Sequence, residues 1–196
     1  MAEHVHQLSD EQLMAKYQAG HQNAFTVLIK RYEKELYHFL VRFLGNASLA
    51  EESFQEAFLQ VHISAGRFDT EKRFRPWLYT IAANKARDLL RSRAARPTVQ
   101  LTDSSQDDSH ADLWDYLLNT DQTPGDILDE KYQKERVRTT VEKLPNRHRE
   151  ILVLAYFNQV SYKDMADVLD IPLGTVKSRL HAAVKNFSQL YKRSQT

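Results

Sequence analysis

The stretch that determines the fold lies between Leu144 and Phe187 and has the sequence LPNRHREILVLAYFNQVSYKDMADVLDIPLGTVKSRLHAAVKNF. Apolar residues recur in it at helical spacing, which predicts three helices, over 146–156, over 161–169 and from about 174 to 187. The residues from Asp170 to Leu173 include a proline and interrupt the pattern between the second and third helices. A short helix, a tight turn and another helix at this spacing are typical of a helix-turn-helix.

The last of these helices has two different faces. Val176, Leu180 and Ala183 recur at helical spacing and are predicted to face the core. The side chains left to face outward are Thr175, Lys177, Ser178, Arg179 and His181. Side chains of this kind can contact base edges and phosphates when a helix enters the major groove of DNA. The alternative at this point is a small helical bundle with a solvated basic face.

Charge is distributed unevenly along a chain of 196 residues whose formal net charge is only +1. Residues 61–98 carry 9 basic and 3 acidic side chains, and residues 131–196 carry 13 basic and 6 acidic ones. Residues 99–130 carry 9 acidic side chains and no lysine or arginine, while residues 1–60 carry 8 acidic and 5 basic ones. Two basic blocks on either side of an acidic spacer indicate two surfaces that face a polyanion, as in nucleic-acid-binding proteins.

The composition disfavours several classes of protein. The chain has no cysteine, so it has no disulfide or thiolate metal site, and a reducing compartment fits. Its 8 histidines are scattered without carboxylate partners at helical spacing, and we expect no metal and no cofactor. The first residues are polar and acidic, unlike a signal peptide, and no apolar run approaches the ~20 residues that span a bilayer. We therefore expect a cytoplasmic protein without membrane insertion.

The N-terminal half is also predicted to be helical. Capping signals, glycines and apolar periodicity predict helices over residues 9–20, 23–44, 48–63 and 76–95. The expected N-caps of the first three are Ser9, Asn23 and Ser48, the first and last in capping boxes with Gln12 and Glu51. Pro76 suits the first turn of the fourth helix. Because alternating β-branched residues are rare throughout, the predicted class is all-α.

Two stretches of this half carry polar patterns beyond the needs of packing. Between 52 and 58, inward packing of both phenylalanines would leave Glu52, Gln55 and Glu56 on one acidic outer face. Between 67 and 91, aromatic and basic residues are interleaved, and such side chains can stack on unpaired bases and follow the backbone. The residues expected to be exposed there are Arg73, Arg75, Asn84, Lys85, Arg87 and Arg91. The simpler interpretations are a solvated face for the first stretch and core packing for most apolar residues of the second.

Both halves resemble bacterial extracytoplasmic-function sigma factors of the sigma-70 family. The run IPLGTVKSRL at 171–180 resembles their recognition segment, and Leu144-Pro145 with the following residues resembles the start of their fourth conserved region. The pattern acid-x-x-Gln-Glu-x-Phe at 52–58 is similar to their second-region motif for the polymerase, although Ser53 stands where the family more often has an apolar residue. Three motifs between 74 and 91, Phe-x-x-Trp-Leu, Ile-Ala-x-Asn and Asp-x-x-Arg, are similar to their melting and minus-10 region.

The resemblance implies a two-domain, all-α sigma factor that binds core RNA polymerase and directs promoter-specific initiation, without a catalytic centre of its own. Region 2 would occupy residues 1–96 and region 4 residues 125–196, joined by an acidic flexible linker over 97–124. The implied contacts with the clamp helices of the largest polymerase subunit are Glu52, Gln55 and Glu56. The implied minus-10 contacts are Phe68, Arg73, Arg75, Asn84, Lys85, Arg87 and Arg91, and the implied minus-35 contacts are Thr175, Lys177, Ser178, Arg179 and His181. An anti-sigma factor is expected as a further partner.

Two other classes of function compete with this interpretation. A stand-alone helix-turn-helix regulator would act as a dimer on two half-sites and would give no role to Gln55 and Glu56 or to the aromatic-basic stretch. A nucleic-acid enzyme would need clustered carboxylates, a glycine-rich phosphate loop or a nucleophile–base pair, and the sequence shows none.

Residues 182–185 stand where the family often has further arginines, so the free protein is predicted to bind promoter duplex poorly and to need polymerase.

Overall fold

Every regular element in the part of the chain that the structure describes is a helix, which confirms the predicted all-α class. The structure is a computed structural model that describes residues 7–95 and 127–193. The N-terminal domain consists of α1 (Asp10–Gln18), α2 (Gln22–Leu44), α3 (Ala47–Ser64), a 3-10 turn (Ala65–Arg67) and α4 (Phe74–Ala95). The C-terminal domain consists of α5 (Ile127–Glu142), α6 (Asn146–Leu152), a π-helical turn (Val153–Phe157), α7 (Tyr162–Leu169) and α8 (Leu173–Arg193). The linker expected over 97–124 lies outside the described residues.

The capping box predicted at the start of α1 is confirmed. Gln12 N–H donates to Ser9 Oγ at 3.2 Å, and Ser9 N–H donates to Gln12 Oε1 at 2.9 Å. Two N–H groups that have no partner within the helix are thereby satisfied. α1 is held against α2 by the next residue, Asp10, whose carboxylate pairs with Arg31 and accepts from Tyr32 Oη, and Leu13 and Met14 of α1 are fully buried.

The next two helices begin earlier than predicted, so their expected caps are wrong. α2 follows His21, which makes no side-chain capping bond, and Asn23 lies inside the first turn. Asn46 rather than Ser48 caps α3, because its extended backbone lets its side chain accept from Leu49 N–H at 2.9 Å. Asparagine and serine are both good N-caps, so the backbone conformation in the folded domain determines which of two neighbouring candidates caps the helix.

The start of α4 is capped by a residue from another helix. The Glu11 carboxylate of α1 accepts from Phe74 N–H at 3.0 Å, which satisfies one of the free donors at the helix N-terminus. Burial alone would raise the pKa of Glu11, but this hydrogen bond and others to the carboxylate lower it below its ordinary value. Pro76 lies in the first turn of α4, as predicted. The bond fixes the direction in which α4 leaves the preceding loop.

The N-terminal domain is built around aromatic rings between α2 and α4. Phe39 and Tyr79 pack with their ring centroids 5.1 Å apart, and Phe39 stacks on Phe43 at 6.0 Å. All three side chains are almost completely buried. Rings of this size contribute much of the apolar area that a small helical domain buries. α3 packs beside α4 on this core, which directs one face of each helix outward.

The C-terminal domain has a smaller core in which α6 and α7 hold α8. Val176 and Ala183 of α8 are fully buried and Leu180 nearly so, as predicted. Ile151 of α6 and Met165 of α7 are fully buried in the same cluster. Because these three α8 positions share one side of the helix, the rest of its N-terminal turns face away from the core.

The two domains contact each other, mainly through α4 and α7 and through the end of α2. Arg149 of α6 donates from Nη1 to the Phe43 carbonyl oxygen at 3.1 Å. Asn158, directly after the π-helical turn, is buried and donates from Nδ2 to Tyr79 Oη at 3.0 Å. Directed hydrogen bonds therefore join the domains in addition to apolar packing.

Candidate nucleic-acid and polymerase interfaces

The turn between α7 and α8 sets the orientation of α8. Asp170 ends α7 in the left-handed conformation, with φ 51° and ψ 51°, which aspartate tolerates better than most residues with a side chain. The Pro172 carbonyl oxygen then accepts from Thr175 N–H at 2.8 Å and starts α8. At the other end of α7, Ser161 Oγ accepts from Asp164 N–H at 3.2 Å as an N-cap. Both ends of the short helix are thus fixed, as a helix-turn-helix requires.

The outward side of α8 carries the five side chains predicted there. Lys177, Ser178 and His181 are exposed, while Thr175 and Arg179 are half-buried. None of the five belongs to the buried cluster of this domain. Ser178 Oγ donates to the Thr175 carbonyl oxygen at 3.2 Å, which leaves its acceptor electron pairs facing outward. The face offers donors, acceptors and cations to a groove or a phosphate chain.

The outer face of α3 is polar at the positions expected. Glu52, Gln55 and Glu56 are exposed, whereas Ser53 is 1% exposed and packs inward. Glu56 Oε2 lies 3.4 Å from Lys85 Nζ of α4, and both groups are partly solvated. An ion pair of this kind contributes little to stability, so the acidic face remains available to a partner.

The same face of α3 continues as two exposed apolar side chains that sequence patterns did not single out. Leu59 is 51% exposed and Ile63 is 66% exposed. They follow Gln55 at steps of four residues, which places all three in one row along the helix. The i, i+4, i+8 spacing of these residues is visible in the sequence. It indicates an exposed row only when Phe54 and Phe58 are known to face the core, because Leu59 and Ile63 could otherwise be core residues themselves. A polar row with an apolar extension is typical of a protein-binding surface.

The residues predicted to contact nucleic acid on the outer part of α4 are accessible to different degrees. Asn84 and Arg91 are exposed, and Lys85 is half-buried. Arg91 pairs with Asp88 one turn away at 3.2 Å, in a solvated contact. The Asn84 side-chain oxygen accepts from Arg87 Nη1, which orients that guanidinium along the helix. Asn84, Arg87 and Arg91 therefore share one side of α4, whereas Lys85 faces α3 and pairs there with Glu56.

Three arginines of the same predicted set contact the C-terminal domain. Arg73 lies in the loop before α4, and Arg75 and Arg87 lie on α4 itself. Their partners in the other domain are the Asp164 carboxylate, the Asn158 carbonyl oxygen and the Glu150 carboxylate, respectively. The structure therefore brings part of the predicted minus-10 surface against the domain that carries the helix-turn-helix.

Phe68 differs from the expectation that it contacts nucleic acid. Its side chain is only 7% exposed, with its ring centroid 4.6 Å from that of Trp77 and 5.8 Å from that of Phe74. Its carbonyl oxygen accepts from Gln18 Nε2 at 2.8 Å. The ring packs inward because the 3-10 turn after α3 directs it towards α4. In this conformation it supports the loop instead of presenting a stacking face.

Arg75 belongs to a half-buried polar network with Glu35 and Tyr79 as well as to the basic surface. Its guanidinium pairs with the Glu35 carboxylate of α2, which also accepts from Tyr79 Oη at 2.8 Å. Burial alone would lower the pKa of Arg75, but the hydrogen bond and charge of Glu35 raise it above its ordinary value. Burial and the same carboxylate raise the pKa of Tyr79. Arg75 is therefore firmly charged and firmly positioned.

Within residues 7–95 and 127–193, no group of three or more histidine, cysteine or carboxylate side chains could hold a metal ion. No helix in these ranges is both long and apolar enough to cross a membrane.

Comparisons with known proteins agree in both halves of the chain. A family model described as sigma-70 region 2 matches residues 28–96, and one described as sigma-70 region 4 matches residues 134–187. The RNA polymerase sigma-H factor of Pseudomonas aeruginosa is 33% identical over 177 residues, which cover 90% of this chain and 91% of that protein. The ECF RNA polymerase sigma factor SigW of Bacillus subtilis is 30% identical over 162 residues, which cover 83% of this chain and 86% of that protein.

Two solved structures share the fold. CnrH in complex with the cytosolic domain of CnrY matches with a TM-score of 0.67 and 24% identity, over 94% of this chain and 97% of that one. The sigma factor RpoE in complex with the anti-sigma factor NepR, from Bartonella quintana, matches with a TM-score of 0.62 and 20% identity, over 86% of this chain and 96% of that one. The two-domain helical architecture is therefore that of known sigma factors.

The region 2 model matches the domain that carries the polar face of α3 and the basic residues of α4, and the region 4 model matches the domain that carries the helix-turn-helix. This combination defines a transcription initiation factor. The chain belongs to the sigma-70 family, in its extracytoplasmic-function group. It binds core RNA polymerase and promoter DNA and directs promoter-specific initiation of transcription. A stand-alone helix-turn-helix regulator would explain the match of the second domain but not the match of the first.

Proposed function

We propose that region 2 occupies residues 1–96 and region 4 residues 125–196, with residues 97–124 as the linker. The family-model matches at 28–96 and 134–187 fall inside these limits and support them. α1 packs on α2 and completes the first core, which supports a boundary ahead of the matched segment. The division assigns polymerase and minus-10 contacts to one domain and minus-35 contacts to the other.

The outer face of α3 binds the clamp helices of the largest polymerase subunit in this proposal. The observation that carries it is the row of exposed side chains on one helix, with Glu52, Gln55 and Glu56 beside Leu59 and Ile63. Burial of the two apolar side chains by the partner would favour binding. The carboxylates and the amide would fix the orientation of the partner through polar contacts. The side chains on the opposite face of α3 are already committed to the core.

The basic side of α4 and the loop before it contact the minus-10 element in this proposal. The contact residues are Arg73, Arg75, Asn84, Lys85, Arg87 and Arg91. Guanidinium groups suit the bidentate recognition of phosphate, and an exposed amide suits a base edge. We assign Phe68 to support of the loop between 68 and 74, because its ring is buried against Trp77.

The outward side of α8 contacts the minus-35 element in this proposal, through Thr175, Lys177, Ser178, Arg179 and His181. Their position at the start of the second helix of the helix-turn-helix supports it, since the N-terminal residues of such helices reach base edges. Arg147 of α6 lines the same groove as Arg179, which adds positive charge next to that residue. A basic surface of this kind gains affinity by releasing counterions from the duplex.

An anti-sigma factor is a further partner in this proposal. Two structural relatives are complexes, one with the cytosolic domain of CnrY and one with the anti-sigma factor NepR. We propose that the protein is not an enzyme and that bond formation belongs to the polymerase. The place of action is the cytoplasm, where the polymerase works.

Co-purification with bacterial core RNA polymerase tests the proposed surface on α3. The parent chain is compared with the double variant Gln55→Ala/Glu56→Ala, which removes two exposed side chains and leaves the core side chains of α3 unchanged. The matched control is Gln189→Ala/Glu135→Ala, which removes the same two chemical groups from exposed positions of the second domain.

Stoichiometric binding by the parent and the control, with at least a tenfold loss in the α3 variant, is the expected result. Equal binding by all three proteins would place the polymerase contact elsewhere. Leu59→Ser, measured in the same assay, is expected to weaken binding without affecting the fold, since Leu59 is already half in solvent.

A further inference from the structure

Gly174, the second residue of α8, has no structural need to be glycine. Its φ lies outside the left-handed region, unlike the φ of Gly20 and of Gly45. Apart from its chain neighbours and the backbone of its own helix, no atom of residues 7–95 or 127–193 lies within 4 Å of the place where a Cβ would be. Glycine in a helix is less stable than alanine, because the unfolded chain has more conformational freedom to lose. Glycine at 174 therefore weakens α8 without serving the packing of the domain.

Gly174 lies on the side of α8 that the proposed function assigns to DNA. Ser178 follows it by four residues and His181 by seven, so the three positions share one side of the helix. Ser178 and His181 are exposed and belong to the proposed minus-35 contacts. The N-terminal residues of a recognition helix are those that meet base edges in the major groove. A missing side chain at this point lets a second molecule approach the backbone of the helix closely.

Leu173, the first residue of α8, is an exposed apolar side chain next to Gly174. It is 44% exposed, and it belongs neither to the buried cluster of its domain nor to the apolar side chains packed against that cluster. Lys177 follows it by four residues, so Leu173 lies beside a residue of the proposed minus-35 set. Single exposed leucines are common on protein surfaces and indicate little by themselves. At the start of a recognition helix, however, an exposed leucine is in reach of a base edge.

The surroundings of Leu173 do not suit a phosphate group. Leu173 lines a shallow groove together with Asp167 and Asp170, whose side chains are exposed. Their negative charges repel the sugar-phosphate backbone at this place, whereas Lys177 and Arg179 attract it further along α8. A base edge carries no net charge. The apolar group that a base pair presents in the major groove is the methyl group of thymine, which packs well against an apolar side chain.

We propose that the first turn of α8 contacts a base-pair edge of the minus-35 element directly. The missing side chain of Gly174 admits the edge, and Leu173 packs on the methyl group of a thymine. The inference rests on the proposed role of α8 in minus-35 binding and adds two residues to that set. Gly174 determines how near the helix comes to the DNA, and Leu173 determines which base is preferred. The contact favours an A·T pair in one of its two orientations, because the position of the methyl group distinguishes them.

The proposed contact differs physically from those of the basic residues on α8. Lys177 and Arg179 gain affinity through the release of counterions, so their contribution falls as the salt concentration rises. Burial of a methyl group against a leucine involves no charge and releases no counterion. The preference for thymine is therefore expected to stay constant at salt concentrations that weaken binding to every sequence.

The first measurement identifies the base pair. Holoenzyme is reconstituted from bacterial core RNA polymerase and the full chain, and promoters are selected from a library of random linear duplexes and sequenced. The parent is expected to select a minus-35 element that contains a fixed A·T pair. Leu173→Ala is expected to lose about fourfold of the preference at that pair, the effect of burying one methyl group, and to keep the other preferences. A selected element without a fixed A·T pair would overturn the inference.

The second measurement removes the methyl group from the DNA instead of changing the protein. In the selected duplex, deoxyuridine replaces the thymine of that pair and lacks only the 5-methyl group. In competition binding, the parent holoenzyme is expected to bind the deoxyuridine duplex about fourfold more weakly than the thymine duplex. Holoenzyme with Leu173→Ala is expected to bind the two duplexes equally. The same weakening in both proteins would show that another residue contacts the methyl group.

The third measurement tests the close approach at Gly174. It is the ratio of run-off transcription from the selected promoter to that from the same promoter with a scrambled minus-35 element. Gly174→Ala is expected to lower this ratio, and Gly174→Leu to lower it at least about fivefold. Alanine and leucine favour a helix more than glycine does, so both variants are expected to unfold at the same temperature as the parent or up to about 3 °C higher. Ser188→Ala, at an exposed position in the last turns of α8, is the control and is expected to keep the ratio.

The double variant Lys177→Ala/Ser178→Ala separates this inference from the proposed role of α8. If it lowers the ratio and Gly174→Leu does not, the close approach is refuted and the role of α8 stands. If neither protein lowers the ratio, the role of α8 in minus-35 binding is refuted together with the inference. A lowered ratio in Gly174→Leu, in a protein that is at least as stable as the parent, supports the contact and excludes misfolding as its cause.

Discussion

His38 is predicted to make the first domain sensitive to acid. It lies on α2 and is 8% exposed, beside the side chains of Tyr37 and Arg42. Burial, with smaller contributions from the charges of Arg42 and Lys34, lowers its pKa from 6.5 to about 4. The carboxylates of Glu33 and Glu51 line the same groove as His38. Neither offsets the shift of the His38 pKa, so the neutral ring is the form that the folded protein accommodates.

The sign of the effect follows from which state binds more protons. Between pH 6.5 and about pH 4 the unfolded chain protonates His38 and the folded one does not, so acid favours the unfolded chain. The contribution of His38 to stability is complete above pH 6.5 and is lost as the pH falls through this window. With about 1.4 kcal/mol for each unit of pKa, the full loss is on the order of 3 kcal/mol, and about 2 kcal/mol is lost by pH 5.

Urea unfolding at pH 7 and pH 5 measures this loss, with Trp77 fluorescence as the reporter of the first domain. Trp114 is replaced by Phe in all proteins, so that Trp77 is the only tryptophan. His38→Gln is expected to lose about 2 kcal/mol less stability than its parent between the two pH values. His181→Gln, at an exposed position, serves as the control and is expected to follow the parent. Parallel pH dependence in the parent and His38→Gln would refute the reasoning.

Three further changes have expected effects on the free energy of unfolding, measured by urea titration at pH 7. Ser53→Ala is expected to raise it by about 1 kcal/mol, because Ser53 Oγ is buried without a hydrogen-bond partner among the described residues, and a decrease would contradict this. Ser161→Ala is expected to lower it by about 1 kcal/mol through loss of the N-cap of α7, whereas Ser161→Thr, which keeps the hydroxyl, should retain most of it. Gly45→Ala is expected to lower it by about 1 kcal/mol, because φ is +67° at the end of α2, and Gly45→Asn should lose less.

Periodicity in the sequence was sufficient to predict the helices and the two faces of α8. The apolar residues at 176, 180 and 183 are buried as expected, because they lie on the same side of a helix and only one orientation of that helix buries all three. The exact start of a helix was harder to predict. Ser48 and Asn46 can both cap a helix, and the choice depends on the backbone conformation of the turn after Gly45, which propensity does not determine.

The composition of the proposed surfaces could be predicted, but their state in the free protein could not. Aromatic and basic residues between 67 and 91 indicated binding to nucleic acid. The same pattern fits an aromatic ring that stacks on bases and one that packs inside the domain, and in the structure the ring of Phe68 packs against Trp77. The partners of Arg73 and Arg87 lie 91 and 63 residues away along the chain. Contacts of such separation depend on how two finished domains meet, and no local pattern contains that information.

The contact between the two domains at Glu150 places a buried carboxylate against the guanidinium of Arg87. An arginine beside another domain needs oxygen acceptors, because leaving its donors unpaired in a dry contact costs several kcal/mol. Supplying a carboxylate removes that cost but buries a second charge. Burial raises the pKa of Glu150 above its ordinary value, and the nearby charges of Arg87 and Arg179 only partly oppose this. The ion pair therefore does not fully replace the water that Glu150 loses.

Separating the two domains would return that water to the carboxylate. The raised pKa of Glu150 means that the form with the domains in contact binds a proton more readily than a separated form with a hydrated carboxylate, so rising pH should favour separation. Double electron–electron resonance between spin labels on Glu71→Cys and Lys163→Cys, two exposed positions of a chain without cysteine, measures this at pH 5.5 and pH 8, and Glu150→Gln serves as the control without a titrating group. The long-distance population is expected to grow with pH in the parent and to stay constant in the control, whereas equal pH dependence in both would assign the change to another group.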